Sequence, residues 1–189
     1  GFYYLTYSNL AKEDNVRYIT FLKSTSITGP FEIIQEYNSE GEFIDGDKEP
    51  LFTYNKQSKI DVLDQHILDD NGKLYMYYAV FDSYNTEHIV GVEMIDPITA
   101  NWDSYKVLII PGKATPVSIT KLFYWETYTA YPPVAEAPFV IKSDDGKYYM
   151  TYSVNHYPNR YYSVCYAVSD SPLGDYTKDE IRSIATECG

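Results

Sequence analysis

Glu136 is the residue of this sequence best placed for acid chemistry, because it stands alone in the apolar stretch Val134-Ala135-Glu136-Ala137-Pro138-Phe139. Burial disfavours the ionised form of a carboxyl, so an unpaired acid there holds its proton to higher pH, as a general acid must. From the residues alone, a rim carboxylate without a role is an equal alternative. Two aspartates compete for the corresponding place earlier in the chain. Side chains alternate along a strand, and Glu136 lies 10 residues before Gly146, Asp64 lies 8 before Gly72 and Asp61 lies 11 before it. Parity therefore puts Asp64, and not Asp61, on the face of Glu136 unless a bulge intervenes.

Other candidates carry plainer readings beside the chemical one. His66 follows Asp64 by two residues, on the same face, as a hydrogen-bonding group or a satisfied core histidine. His156, in Val154-Asn155-His156-Tyr157, falls in a loop, where it is a ligand contact or an ordinary surface residue. Trp125, with Tyr124, precedes Glu136 by about ten residues and is either a stacking wall or packing. Asp69, Asp70, Asp144 and Asp145 sit in Gly-containing clusters and read as turn residues. No nucleophile elbow, phosphate loop or zinc-ligand spacing is present, so no cofactor is expected, and a central calcium or other ion would leave no legible mark.

The elements that must position these residues emerge from an internal repeat. Gly1-Phe2-Tyr3-Tyr4-Leu5-Thr6-Tyr7-Ser8 recurs as Gly72-Lys73-Leu74-Tyr75-Met76-Tyr77-Tyr78-Ala79 and as Gly146-Lys147-Tyr148-Tyr149-Met150-Thr151-Tyr152-Ser153, at spacings of 71 and 74. A second landmark follows each copy at a common offset of 28: Gly29 before Pro30, Ala100 before Asn101 and Gly174 before Asp175. Between the landmarks lie further strand-like runs, Val16 to Phe21, Glu87 to Val92 and Tyr162 to Val168. Runs at Leu63 to Leu68 and Val134 to Ile141 precede the second and third glycines, separated from them by acidic turn clusters of the hairpin type. Four-stranded antiparallel units repeated radially make a β-propeller, with a duplicated β-sandwich as the competing architecture. The first copy starts inside what is a turn in the others, so an incomplete propeller is expected over 1-189, with blade-like units of about 1-57, 58-125 and 126-189. An open arc exposes strand edges, which favours self-association or completion by another chain.

Composition narrows the partners. The 22 tyrosines suit half-buried strands and stacking on sugar rings. A formal charge of −12 without a basic cluster argues against nucleic acid. No apolar run approaches the roughly 20 residues that span a bilayer, so no membrane is expected, and no secretory signal is legible at the start. Cys165 lies in an apolar strand pattern as a buried thiol; Cys188 is the other cysteine.

The stretch from Glu136-Ala137-Pro138-Phe139-Val140 through Gly146-Lys147-Tyr148-Tyr149-Met150-Thr151-Tyr152-Ser153 and Asn155-His156-Tyr157 to Ser169-Asp170-Ser171-Pro172-Leu173-Gly174 resembles the fourth-blade pattern of glycoside hydrolase family 43. Asp64-Gln65-His66 with Asp69-Asp70-Asn71-Gly72-Lys73 is similar to its third blade, and Gly1 to Phe31 to its second. The resemblance implies about three of five propeller blades from an enzyme hydrolysing arabinofuranosyl or xylosyl linkages, in a secreted or periplasmic setting. It implies Glu136 as general acid, Asp64 as the aspartate that orients it and adjusts its pKa, and inversion with a base on a first blade absent from this chain. Ala137 stands where the pattern has glycine. One residue fewer separates Asp64 from Gly72, which keeps Asp61 as an alternative. A different class of function, a non-catalytic segment for glycan binding or assembly, is the competing expectation.

Overall fold

The computed structural model describes residues 1–11, 16–35, 60–81, 86–116, 123–128, 132–178 and 185–186. Cys188 and the expected boundary at 57 and 58 lie outside them. The described strands form three antiparallel sheets in chain order. The first holds β1 (Tyr3–Ala11), β2 (Val16–Ser24) and β3 (Glu32–Gln35). The second holds β4 (Asp61–Asp70), β5 (Lys73–Phe81), β6 (Glu87–Asp96) and β7 (Thr99–Ile109). In the third, β8 (Ala135–Lys142), β9 (Tyr148–Val154) and β10 (Ser163–Ser169) are followed by two short segments, β11 (Thr177–Lys178) and β12 (Ala185–Thr186), which both pair with β10. This is an incomplete β-propeller, each sheet one blade.

Turn chemistry fixes the hairpins. Asp70 pairs with Lys73, leaving Asn71 and Gly72 as a two-residue loop with φ 56° and 86°. That left-handed pair matches the twist of the flanking strands and needs Asn-Gly chemistry. Asp69 Oδ1 accepts the Gly72 N–H at 2.7 Å and closes the turn.

The middle blade is buried on both faces, which explains the unbroken apolar run of β5. Met76, Tyr78 and Val80 pack toward the first blade with Tyr18, Ile19 and Phe21. Tyr75 and Tyr77 pack toward the third with Tyr148, Met150 and Tyr152. Fully burying a large apolar side chain contributes roughly 1.5–3 kcal/mol, so these two inter-blade layers hold the arc together. Gly91 lets the blades close: a Cβ there would lie 2.7 Å from both Leu108 and Leu173 side chains. In the first blade, the positions equivalent to Met76 and Tyr78 are Leu5 and Tyr7, which are 48% and 37% exposed. Cys165 is a buried free thiol, and burial pushes its pKa up to about 12. Among the described residues no helix is long and apolar enough to cross a membrane, which says nothing of a β-barrel.

Candidate active site

Both candidate acids sit at irregularities in the first strand of a blade. In β4 the register shifts between Leu63 and His66, and in β8 between Glu136 and Phe139. Each bulge holds a residue in the left-handed region, Asp64 at φ 56° and Ala137 at φ 52°. Ala79 and Ser153 stand seven residues after Gly72 and Gly146; their partners are Leu63 and Glu136. Asp64 therefore corresponds by register to Ala137, and Leu63 to Glu136. The two bulges interlock: the Ala137 N–H donates to Asp64 Oδ2 at 3.2 Å. On its other side, the Asp64 N–H donates to Ser8 Oγ at 3.0 Å, and Ser8 Oγ donates to Gln65 at 3.2 Å.

Glu136 is half-buried. Burial raises its pKa, the Tyr162 hydroxyl hydrogen bond opposes that, and the nearby charge of Asp64 adds to it. Tyr162 donates to Glu136 Oε1 at 2.9 Å. Burial also raises Asp64, against the Ala137 N–H and the charge of Arg17. Asp61 is engaged elsewhere: Arg17 Nε lies 3.0 Å from both its carboxylate oxygens, and the Arg17 backbone N–H donates to Oδ1 at 2.6 Å.

Glu136 shares a cavity of about 110 Å³ with Arg17, Glu87, Val134, Asn155, His156 and Tyr157. Glu136 and His156 in this set are sequence candidates, whereas Glu87 is not. Glu87 opens β6, where its N–H donates to Pro133 at 2.9 Å and ties the second blade to the start of the third. It is 8% exposed, its Oε1 is buried without a hydrogen-bond partner, and its Oε2 lies 4.0 Å from Arg17. Burial pushes its pKa up to about 7; Arg17 opposes the rise, while Glu136, Asp61 and Asp64 reinforce it. The legible signal is an acid at the head of a strand whose apolar run is Ile89 to Val92.

Three candidates, Asp64, His66 and Trp125, lie outside that cavity lining. His66 Nε2 is 3.0 Å from the Val140 carbonyl, and its ring centroid is 4.5 Å from that of Phe139. Burial lowers its pKa. Trp125 belongs to a 3-10 turn, Tyr124–Thr127, where its ring meets Phe123 edge-on at 4.7 Å and its carbonyl accepts Asn155 Nδ2 at 2.8 Å. Among the described residues no group of three or more His, Cys, Asp or Glu could hold a metal ion. The arrangement can deliver a proton from a half-buried carboxyl while a neighbouring aspartate fixes the bulge that carries it.

A family model described as glycosyl hydrolases family 43 matches residues 1–187. Among solved structures, a thermostable family-43 glycoside hydrolase is 29% identical, with a TM-score of 0.70 over 97% of this chain and 52% of that one. An endo-1,4-beta-xylanase from Bacteroides thetaiotaomicron is 25% identical, with a TM-score of 0.61 over 98% of this chain and 55% of that one. An endo-arabinase from the same organism, 20% identical with a TM-score of 0.65 over 98% of this chain and 59% of that one, shares the fold. The chain thus spans about half the length of these structures. Among curated proteins none matches.

Proposed function

This chain belongs to glycosyl hydrolase family 43, and on that premise we propose that its protein hydrolyses arabinofuranosyl or xylosyl linkages in plant-type polysaccharides with inversion. Glu136 protonates the leaving oxygen. Asp64 holds the bulge after Glu136 in position and, as an anion, strengthens that acid's grip on its proton. The water-activating base comes from a blade outside these residues, roughly 6.5 to 9.5 Å from the acid so that a water fits between. By itself the 189-residue chain has little or no activity.

The observation that carries this reading is the Asp64 to Ala137 hydrogen bond beside a half-buried Glu136 that opens on a cavity. The test is hydrolysis of aryl arabinofuranosides and xylosides by the complete protein and by this chain, with NMR detection of the first anomer released. Inverted product from the complete protein alone is expected. Retained configuration, or no hydrolysis by the complete protein, contradicts the reading.

The outer side of the first blade favours a second reading, assembly. β1 pairs with β2 and no other described strand, and Tyr3, Leu5, Tyr7 and Leu10 are exposed. An apolar edge strand is a template for pairing. Leu5→Lys should lower the sedimentation mass if this edge joins copies of the chain, and leave it unchanged if it does not.

A further inference from the structure

Asn155 joins the candidate active site to a group of exposed tyrosines that the acid–base scheme does not use. It is 1% exposed, its backbone is left-handed at φ 68°, and it lines the cavity beside Glu136. Its Oδ1 accepts the Tyr128 N–H at 2.9 Å, and its Nδ2 donates to the Trp125 carbonyl at 2.8 Å and to the Tyr161 carbonyl at 2.9 Å. One buried amide therefore fixes two separate backbone segments against each other. The result is a rim of rings: Tyr128 and Tyr161 lie with centroids 5.2 Å apart, 56% and 40% exposed. Tyr157, which lines the cavity itself, is 76% exposed. Arg160 stacks on the Tyr161 ring at 4.9 Å and donates to its hydroxyl at 2.8 Å, which stiffens that ring.

Exposed rings scattered singly are ordinary, whereas rings grouped at the mouth of a cavity mark a binding surface. Rings that are held in place lose little freedom on binding. Their hydroxyls and apolar faces match a partner that is itself half apolar and half polar, as the faces of sugar rings are. Tyr162, the residue after Tyr161, donates to Glu136, so one segment carries both a rim ring and the hydrogen-bond partner of the proton donor.

We propose that Tyr128, Tyr157 and Tyr161 form a preorganised platform for further sugar units of a neutral glycan chain running out of the Glu136 cavity. The site thus takes the interior of an oligosaccharide or polysaccharide, not only a single terminal sugar. This deepens the function proposed above and rests on it for the polarity of the chain, whereas the platform itself is a binding claim.

The test is calorimetric titration of the complete protein, in its Glu136→Gln form so that nothing is cleaved, with xylo- and arabino-oligosaccharides of two to six units. In one of the two series affinity should rise with length. Tyr128→Ala and Tyr161→Ala should each cancel about tenfold of that gain while leaving the disaccharide unaffected. Tyr161→Phe, which keeps the ring, should retain the gain. Affinity independent of length, no binding in either series, or a length gain unchanged by both alanine variants overturns the proposal. If Glu136→Gln instead leaves hydrolysis intact, the acid assignment falls while the platform is still judged on binding.

Discussion

The backbone N–H of Ala137 and the carboxylate of Asp64, on neighbouring blades, are joined at 3.2 Å, and both residues occupy left-handed bulge positions. The hydrogen bond fixes the backbone next to Glu136, and the same aspartate supplies a negative charge that favours the protonated acid. Orientation and charge therefore come from one residue, and substitutions can separate them.

Asp64→Asn keeps a carbonyl oxygen for the Ala137 N–H but removes the charge. The Glu136 pKa should fall, so the alkaline limb of the kcat/KM profile of the complete protein should move to lower pH. Tyr162→Phe should do the reverse, since the lost hydrogen bond favours the ionised acid. Profiles shifting in the same direction would contradict the assignment.

Ala137→Gly should stabilise the chain by about 0.5–1 kcal/mol. A side chain at φ 52° is strained by roughly 1–2 kcal/mol, and glycine's larger unfolded-state freedom returns part of that gain. Urea unfolding of the two proteins measures it.

Glu87 should make stability fall with rising pH. Its folded pKa, about 7, lies above the ordinary 4.5, so its contribution is fully present below pH 4.5 and lost as pH passes through about 7. The loss is on the order of 3 kcal/mol. Glu87→Gln should flatten the curve across that window, and parallel curves would show that burial of Glu87 costs nothing.

Lys178 and Glu126 form a buried ion pair at the base of the 3-10 turn, 5% and 1% exposed. Lys178 also donates to the Ile110 carbonyl at 2.8 Å, and Glu126 accepts from Gly112 at 2.7 Å and Tyr152 at 2.8 Å. Lys178→Met strands a buried carboxylate and should cost about 3–5 kcal/mol. Adding Glu126→Gln should recover much of that loss in urea unfolding.

The blades were legible because their signals are local: Asn71-Gly72 demands a tight hairpin, and β5 and β9 repeat one tyrosine-rich pattern. The proximity of Asp64 to Glu136 arises by another route than parity. Counting along a strand assumes regular pleating, and both strands carry a bulge at the relevant residue. Arg17, Glu87 and Tyr162 carry no local sequence signal of their role because that role lies between blades. Arg17 comes from the first, Glu87 from the second and Tyr162 from the third, and no periodicity within one blade encodes their meeting.

The most direct test of the proton-donor assignment is the leaving-group dependence of Glu136→Ala in the complete protein. A proton donor matters most when the departing oxygen is a poor leaving group, where general acid catalysis contributes about 10²–10⁴-fold. The variant should lose turnover by that order on oligosaccharides and far less on dinitrophenyl glycosides, which depart without protonation. Equal losses on both substrates, or no loss on oligosaccharides, would contradict the role given to Glu136.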